Sequence, residues 1–155
     1  MSHSSVRNWG ALLVALPLLL AGCLTAMSEE DLDRSLRASG SRVRGLTHPR
    51  VFPLHASSRM EALTLLADAR TAPRERQSRD LAQQFSLGKT RRVHLIVGGP
   101  FSDLNRQILW NAFDYHEGKA LPGLVVVFAS PSAPDPELIA LAKRKRVQLI
   151  HSPLE

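Results

Sequence analysis

Gly123-Leu124-Val125-Val126-Val127-Phe128-Ala129 decides the fold. A strand with one wet face alternates apolar and polar residues, and this one does not. An unbroken apolar run this short belongs in a sheet covered by helices on both faces, which is the habit of parallel sheets. Working upstream, Arg92-Val93-His94-Leu95-Ile96-Val97-Gly98-Gly99 has the same character, and downstream Val147-Gln148-Leu149-Ile150-His151 supplies a third strand. Helical patterns fill the gaps. Ser102 or Asp103 is placed to cap a helix reaching about His116 and stopping at Gly118, and Asp135-Pro136-Glu137 opens another. Strand, helix, strand, helix, strand in this order is the signature of a parallel sheet with crossover helices.

Further upstream the pattern weakens but continues. Val51-Phe52-Pro53-Leu54-His55 is a weak strand candidate that Pro53 limits to a sheet edge or a strand start. Ser58-Arg59-Met60-Glu61 fits a capping box, followed by Leu63, Leu66 and Ala67 at helical spacing. A second helix is expected from Pro73 to about Leu87, closed by Gly88. Residues 51–155 therefore read as one small three-layer α/β domain with a mostly parallel sheet of about four strands.

The amino-terminal end has a different character. Arg7 is the only charged side chain of the first ten residues, and an apolar run of 12 residues follows, Ala11 to Gly22. That is shorter than the roughly 17–25 residues a membrane-spanning helix needs. A cation, a short apolar stretch and small residues before a cleavage point describe an export signal. The signal ends on the chain's only cysteine, Cys23.

Leu20-Ala21-Gly22-Cys23 resembles the lipobox of bacterial lipoproteins. The resemblance covers the first 23 residues alone. It implies cleavage of residues 1–22, acylation of the Cys23 sulfur and acylation of its new amino group. One acyl chain holds a protein marginally and two or more hold it stably, so the membrane is an expected partner through Cys23. Leu24 stands where many such lipoproteins carry the aspartate of inner-membrane retention. The expected location is thus the bacterial cell envelope, on the outer membrane and facing the periplasm.

Removing 22 of the 155 residues leaves 133, enough for one domain. Between Cys23 and Arg50, Ser28 and the acids at 29–31 are placed to cap a short helix through Arg37. The rest, with Gly40, Gly45 and Pro49, reads as flexible tether, so 23–50 is expected to be a lipidated linker. Fully extended, it would reach roughly 90 Å.

Charge is the stronger functional signal. From Arg34 onward 19 cations face 10 acids, which favours an acidic partner. In an envelope compartment that means an envelope protein or an anionic polymer; nucleic acid is not expected. Lys89-Thr90-Arg91-Arg92 precedes one strand and Lys143-Arg144-Lys145-Arg146 another. Strand starts share one edge of a parallel sheet, so Arg91, Arg92, Lys143, Arg144, Lys145 and Arg146 are expected on one rim, near which the tether enters. Cations also favour helix carboxyl ends by about 0.3–1 kcal/mol each, which accounts for one or two per helix but not for four in a row. Trp110 lies off the apolar stripe of Leu104, Ile108, Ala112 and Tyr115. It either covers a neighbouring helix or stands exposed as an interface anchor.

Catalytic signatures are missing. The sequence has no H-E-x-x-H and no G-x-S-x-G. Gly98-Gly99-Pro100 is not a dinucleotide fingerprint, and Gly88-Lys89-Thr90 lacks the leading glycine of a P-loop because residue 83 is Gln83. No metal and no cofactor is expected. The first reading is a non-catalytic accessory lipoprotein that docks envelope machinery or an anionic envelope polymer. The alternative uses the strand carboxyl ends, where ligands of parallel sheets gather, as a small ligand-binding domain or hydrolase. Ser57, Ser102, Asp103, Ser130 and His151 are its candidate residues, with Ser57, His151 and Asp103 as a conceivable nucleophile, base and orienter.

Overall fold

A computed structural model describes residues 27–154, and these form four short strands and five α-helices. The expected signal and Cys23 lie outside the described residues. The helices are α1 (Glu29–Ser41), α2 (Arg59–Thr71), α3 (Arg76–Ser86), α4 (Ser102–Asp114) and α5 (Pro136–Arg144). The strands are β1 (Arg50–Pro53), β2 (Val93–Gly98), β3 (Leu124–Ala129) and β4 (Gln148–Ser152), with a 3-10 turn over Leu87–Lys89. All pairings are parallel and the strand order is β1-β2-β3-β4. The α/β class and the parallel sheet follow the sequence pattern, and β1 is an edge strand, one of the two places left open by Pro53.

The connecting helices share one face. Alternate side chains of the central strands, Leu95 and Val97 from β2 and Val126 and Phe128 from β3, pack with Leu66, Leu81, Phe85, Ile108 and Leu138 from α2 to α5. Phe85 and Phe113 meet at its centre with rings 4.9 Å apart. The alternate set of strand residues, Ile96, Val127 and Ala129, faces the other way and packs against Leu32 and Leu36 of α1. That is why β2 and β3 are apolar throughout: each face has its own cover.

The second cover is the main departure from the sequence reading. The stretch read as flexible tether contains α1, which extends past Arg37 to Ser41 and forms the third layer. Ser28 caps it by accepting from Asp31 N at 3.1 Å, while Leu32 and Leu36 are fully buried. Its last turn is fixed to the end of β4: Ser39 Oγ donates to Pro153 O at 3.1 Å, and Ser152 Oγ donates to Ser39 O at 3.0 Å. The spacing 32, 36, 39, 40 is a helical apolar and small-residue stripe whose two small members concealed it in the sequence. Among the described residues, no helix is long and apolar enough to cross a membrane.

Candidate functional site

The strand carboxyl edge gathers some of the alternative's candidate residues and separates others. Ser130, at the end of β3, is fully buried. Its hydroxyl receives Asn105 Nδ2 at 3.2 Å and donates to Ser102 Oγ at 3.3 Å. Ser102 Oγ also accepts from Ser132 N at 3.1 Å. His151 uses Nε2–H to donate to the Ser130 carbonyl at 3.0 Å. Ser102, Ser130 and His151 therefore belong to one polar network spanning the ends of β2, β3 and β4. Beside it lies a groove of about 370 Å³, with Arg59, Leu63, Phe101, Ser102 and Ser132 in its wall.

The conceivable triad is not assembled. Ser57 gives both its N–H, at 2.5 Å, and its hydroxyl to Glu61 Oε2. Those bonds hold the Glu61 carboxyl below its usual range. Asp103 pairs with Arg106 at 2.8 Å, and His151 is committed to a backbone carbonyl. Each member has a different partner, and among the described residues no serine hydroxyl is hydrogen-bonded to an imidazole nitrogen. The helix cap is corrected too: Phe101, whose side chain has no acceptor to offer, is the N-cap of α4, while the Ser102 hydroxyl is turned toward the β3 loop. Among the described residues, no group of three or more metal-ligating side chains comes together.

Asn105 is a residue the sequence reading missed. It is fully buried, its Nδ2 holds Gly99 O at 2.6 Å, and its Oδ1 has no partner. The available signal was a polar residue at position 105 in register with Ile108, Leu109 and Ala112.

The strand-start edge is built differently. Loops 88–92, 119–123 and 143–147 are stitched together through their backbones. Gly123 N donates to Gly88 O at 2.9 Å, Val93 N to Gly123 O at 2.9 Å, and Leu121 N to Lys145 O at 2.7 Å. A side chain at Gly123 would place its Cβ 2.1 Å from Arg91 O, so glycine permits the loops to touch. Arg91, Arg92, Lys143, Arg144 and Arg146 are exposed on this frame, and none of them is in an ion pair with a described residue. Arg50, Lys89 and Lys119 are exposed there as well.

Lys145 corrects the expected rim. It is only 7 % exposed, and its ammonium donates to His116 O inside the loop frame. Burial lowers its pKa, against the opposing pull of Asp114 and Glu117. His116 is also buried, and its Nε2–H donates to Ala82 O at 2.8 Å. Desolvation, helped by Lys89, Lys145 and Lys119, outweighs that bond and lowers the imidazole pKa. Lys145 and His116 are thus fasteners between α3, α4 and α5 rather than contact residues.

Trp110 takes the first of its two expected places. It is half-buried, packs on the main core, and forms a wall of a shallow groove of about 630 Å³ with Arg106, Gln107, Asp135, Pro136 and Glu137. Met27, the first described residue, packs on the cluster of Leu32, Leu36, Ile96, Val127 and Ala129. The chain matches no family model, no curated protein and no solved structure.

Proposed function

We propose that this protein is a lipid-anchored bacterial envelope lipoprotein that docks an anionic partner through its strand-start edge and transforms no substrate. The observation that carries the docking reading is the edge itself: exposed cations from separate loops, in no ion pair with a described residue, on one hydrogen-bonded frame. The anchoring reading rests on the lipobox resemblance at Cys23. Four peptide steps separate Cys23 from Met27, a reach of at most about 14 Å. An acylated Cys23 would therefore hold the domain close to the outer membrane, on its periplasmic side.

Two variants test the two halves of this proposal. Cys23→Ser is expected to move the protein from the membrane fraction to the soluble one; unchanged partition would sink the anchor. Reversing Lys143, Arg144 and Arg146 to glutamate is expected to abolish the crosslinks the protein forms in intact cells; unchanged crosslinks would sink the docking edge.

A second reading has its own support in the convergence of Ser102, Ser130, Asn105 and His151 beside the groove at the strand carboxyl ends. It requires a small ligand to raise the thermal midpoint of the wild type and not of Ser102→Ala, since binding to the native state stabilises it.

A further inference from the structure

Trp110 is only half-covered by the fold, and the basic edge makes no use of it. It stands one helical turn beyond Arg106 and Gln107, so the three share a face of α4. Opposite them the opening of α5 supplies Asp135, Pro136 and Glu137, and these six residues line the open groove of about 630 Å³. Part of the indole packs on the main core, and the rest is left to the groove wall. The groove shares no residue with the one at the strand carboxyl ends.

The polar groups of this wall are held before any ligand arrives. Arg106 lies between two carboxylates, Asp103 at 2.8 Å and Asp135 at 3.3 Å. Asp135 is fixed in turn as the cap of α5, its Oδ1 accepting from Leu138 N at 2.7 Å. Gln107 Nε2 donates to Asn111 Oδ1 at 3.0 Å, and Asn111, itself buried, donates to Ala69 O at 2.8 Å. That tie orients the Gln107 amide and leaves its Oε1 as an acceptor. Glu137 is exposed and in no ion pair with a described residue. Groups already ordered lose less freedom on binding.

Their chemistry selects the ligand. An anion is disfavoured, because the one cation is met by two carboxylates, Glu137 adds a negative charge, and Asp135 and Pro136 leave the opening of α5 without the free N–H groups at Pro136 and Leu138. A cation over Trp110 would meet the Arg106 guanidinium one turn away. What remains on offer is acceptors, on Gln107, Asp135 and Glu137, around one aromatic surface. The fitting ligand is uncharged, with hydroxyl donors around an apolar face, and a pyranose ring has that form. A peptide brings one N–H per residue and is read by a sheet edge or by a row of apolar pockets; the apolar members of this wall are Trp110 and Pro136 alone. We infer that the groove between α4 and α5 binds a neutral pyranose unit of a glycan, with Trp110 as the platform and Gln107, Asp135 and Glu137 as hydroxyl acceptors. The site stands apart from the docking edge and does not depend on it.

The test titrates the full-length protein, in a detergent without a sugar headgroup, with maltotriose, cellotriose and chitotriose. A Trp9→Phe background leaves Trp110 as the sole tryptophan reporter. At least one of these sugars, at millimolar concentration, is expected to change the tryptophan fluorescence saturably and to raise the thermal midpoint. Added salt is expected to change neither effect, since the ligand carries no charge. Glu137→Ala is expected to melt as the parent does and to bind several-fold more weakly, and Trp110→Leu to lose the rise in midpoint. No response to any of the three sugars, or an undiminished response in Glu137→Ala and Trp110→Leu, would overturn the inference. A larger response to choline, or to a proline-rich peptide, would also overturn it and assign the groove to a cation or a peptide.

Discussion

Leu36→Ala measures whether α1 belongs to the domain. Leu36 is fully buried in the smaller core, packed with Leu32, Ile96, Val127 and Ala129. Truncating a buried leucine to alanine costs about 2–5 kcal/mol, depending on how far the site collapses. This site lies beside an open groove of about 390 Å³ lined by Arg37, Val43, Leu46 and Val51. Neighbours and water can move into the space, so the lower part of that range, roughly 2–3 kcal/mol, is expected. For a domain of this size, about 4 °C accompanies each kcal/mol, giving a fall of about 8–12 °C in the thermal midpoint. The control is Arg34→Ala on the exposed side of the same helix, which loses ion pairs to Asp31 and Glu30 at 2.8 and 3.4 Å. Exposed pairs of that kind contribute at most about 1 kcal/mol. Chemical denaturation and calorimetry on both variants decide the matter. If Leu36→Ala melts no lower than Arg34→Ala, α1 is not holding the sheet and the reasoning fails.

Two further outcomes follow from particular contacts. Gly98→Ala would put a Cβ 1.7 Å from the Ala129 carbonyl oxygen, backbone that cannot step aside, so the variant is expected to be insoluble; a soluble protein with an unchanged melt would refute the close approach of β2 and β3. His116 stays neutral in the fold at a pH where the unfolded chain takes up a proton, because burial lowers its pKa from the ordinary value near 6.5. Its contribution is therefore flat above about pH 6.5 and turns destabilising as pH falls below it, and His116→Gln is expected to flatten the stability profile between about pH 6.5 and 5. Parallel profiles for the two proteins would show that His116 is not the group responsible.

The central sheet was legible because both cores need it. Val125, Val126, Val127 and Phe128 are apolar without alternation only because helices lie on both faces, and that requirement is written into the run itself. The register of the caps was legible where a side chain performs the capping, as at Ser58 and Asp135, whose oxygens accept from Glu61 N and Leu138 N. It failed at α4, where Ser102 has a better offer from the β3 loop, a contact 30 residues away. The third layer failed for a related reason. Two residues of its buried stripe, Ser39 and Gly40, look like linker, and their burial depends on Ser152, Pro153 and Ile96. The basic rim was legible as a charge pattern, since helix ends and strand starts coincide in this topology. The burial of Lys145 was not, because nothing in a run of four cations says which one turns inward toward His116 O.

The stitching of α1 to the far end of the chain sets an order of events during synthesis. Ser39 bonds to Pro153, 114 residues later, and the floor beneath Leu32 and Leu36 does not exist until Ala129 has been made. The helix made first has to wait for strands made last. Contacts of such long sequence separation slow folding, so the smaller core is expected to close after the larger one, with α1 docking as a late step.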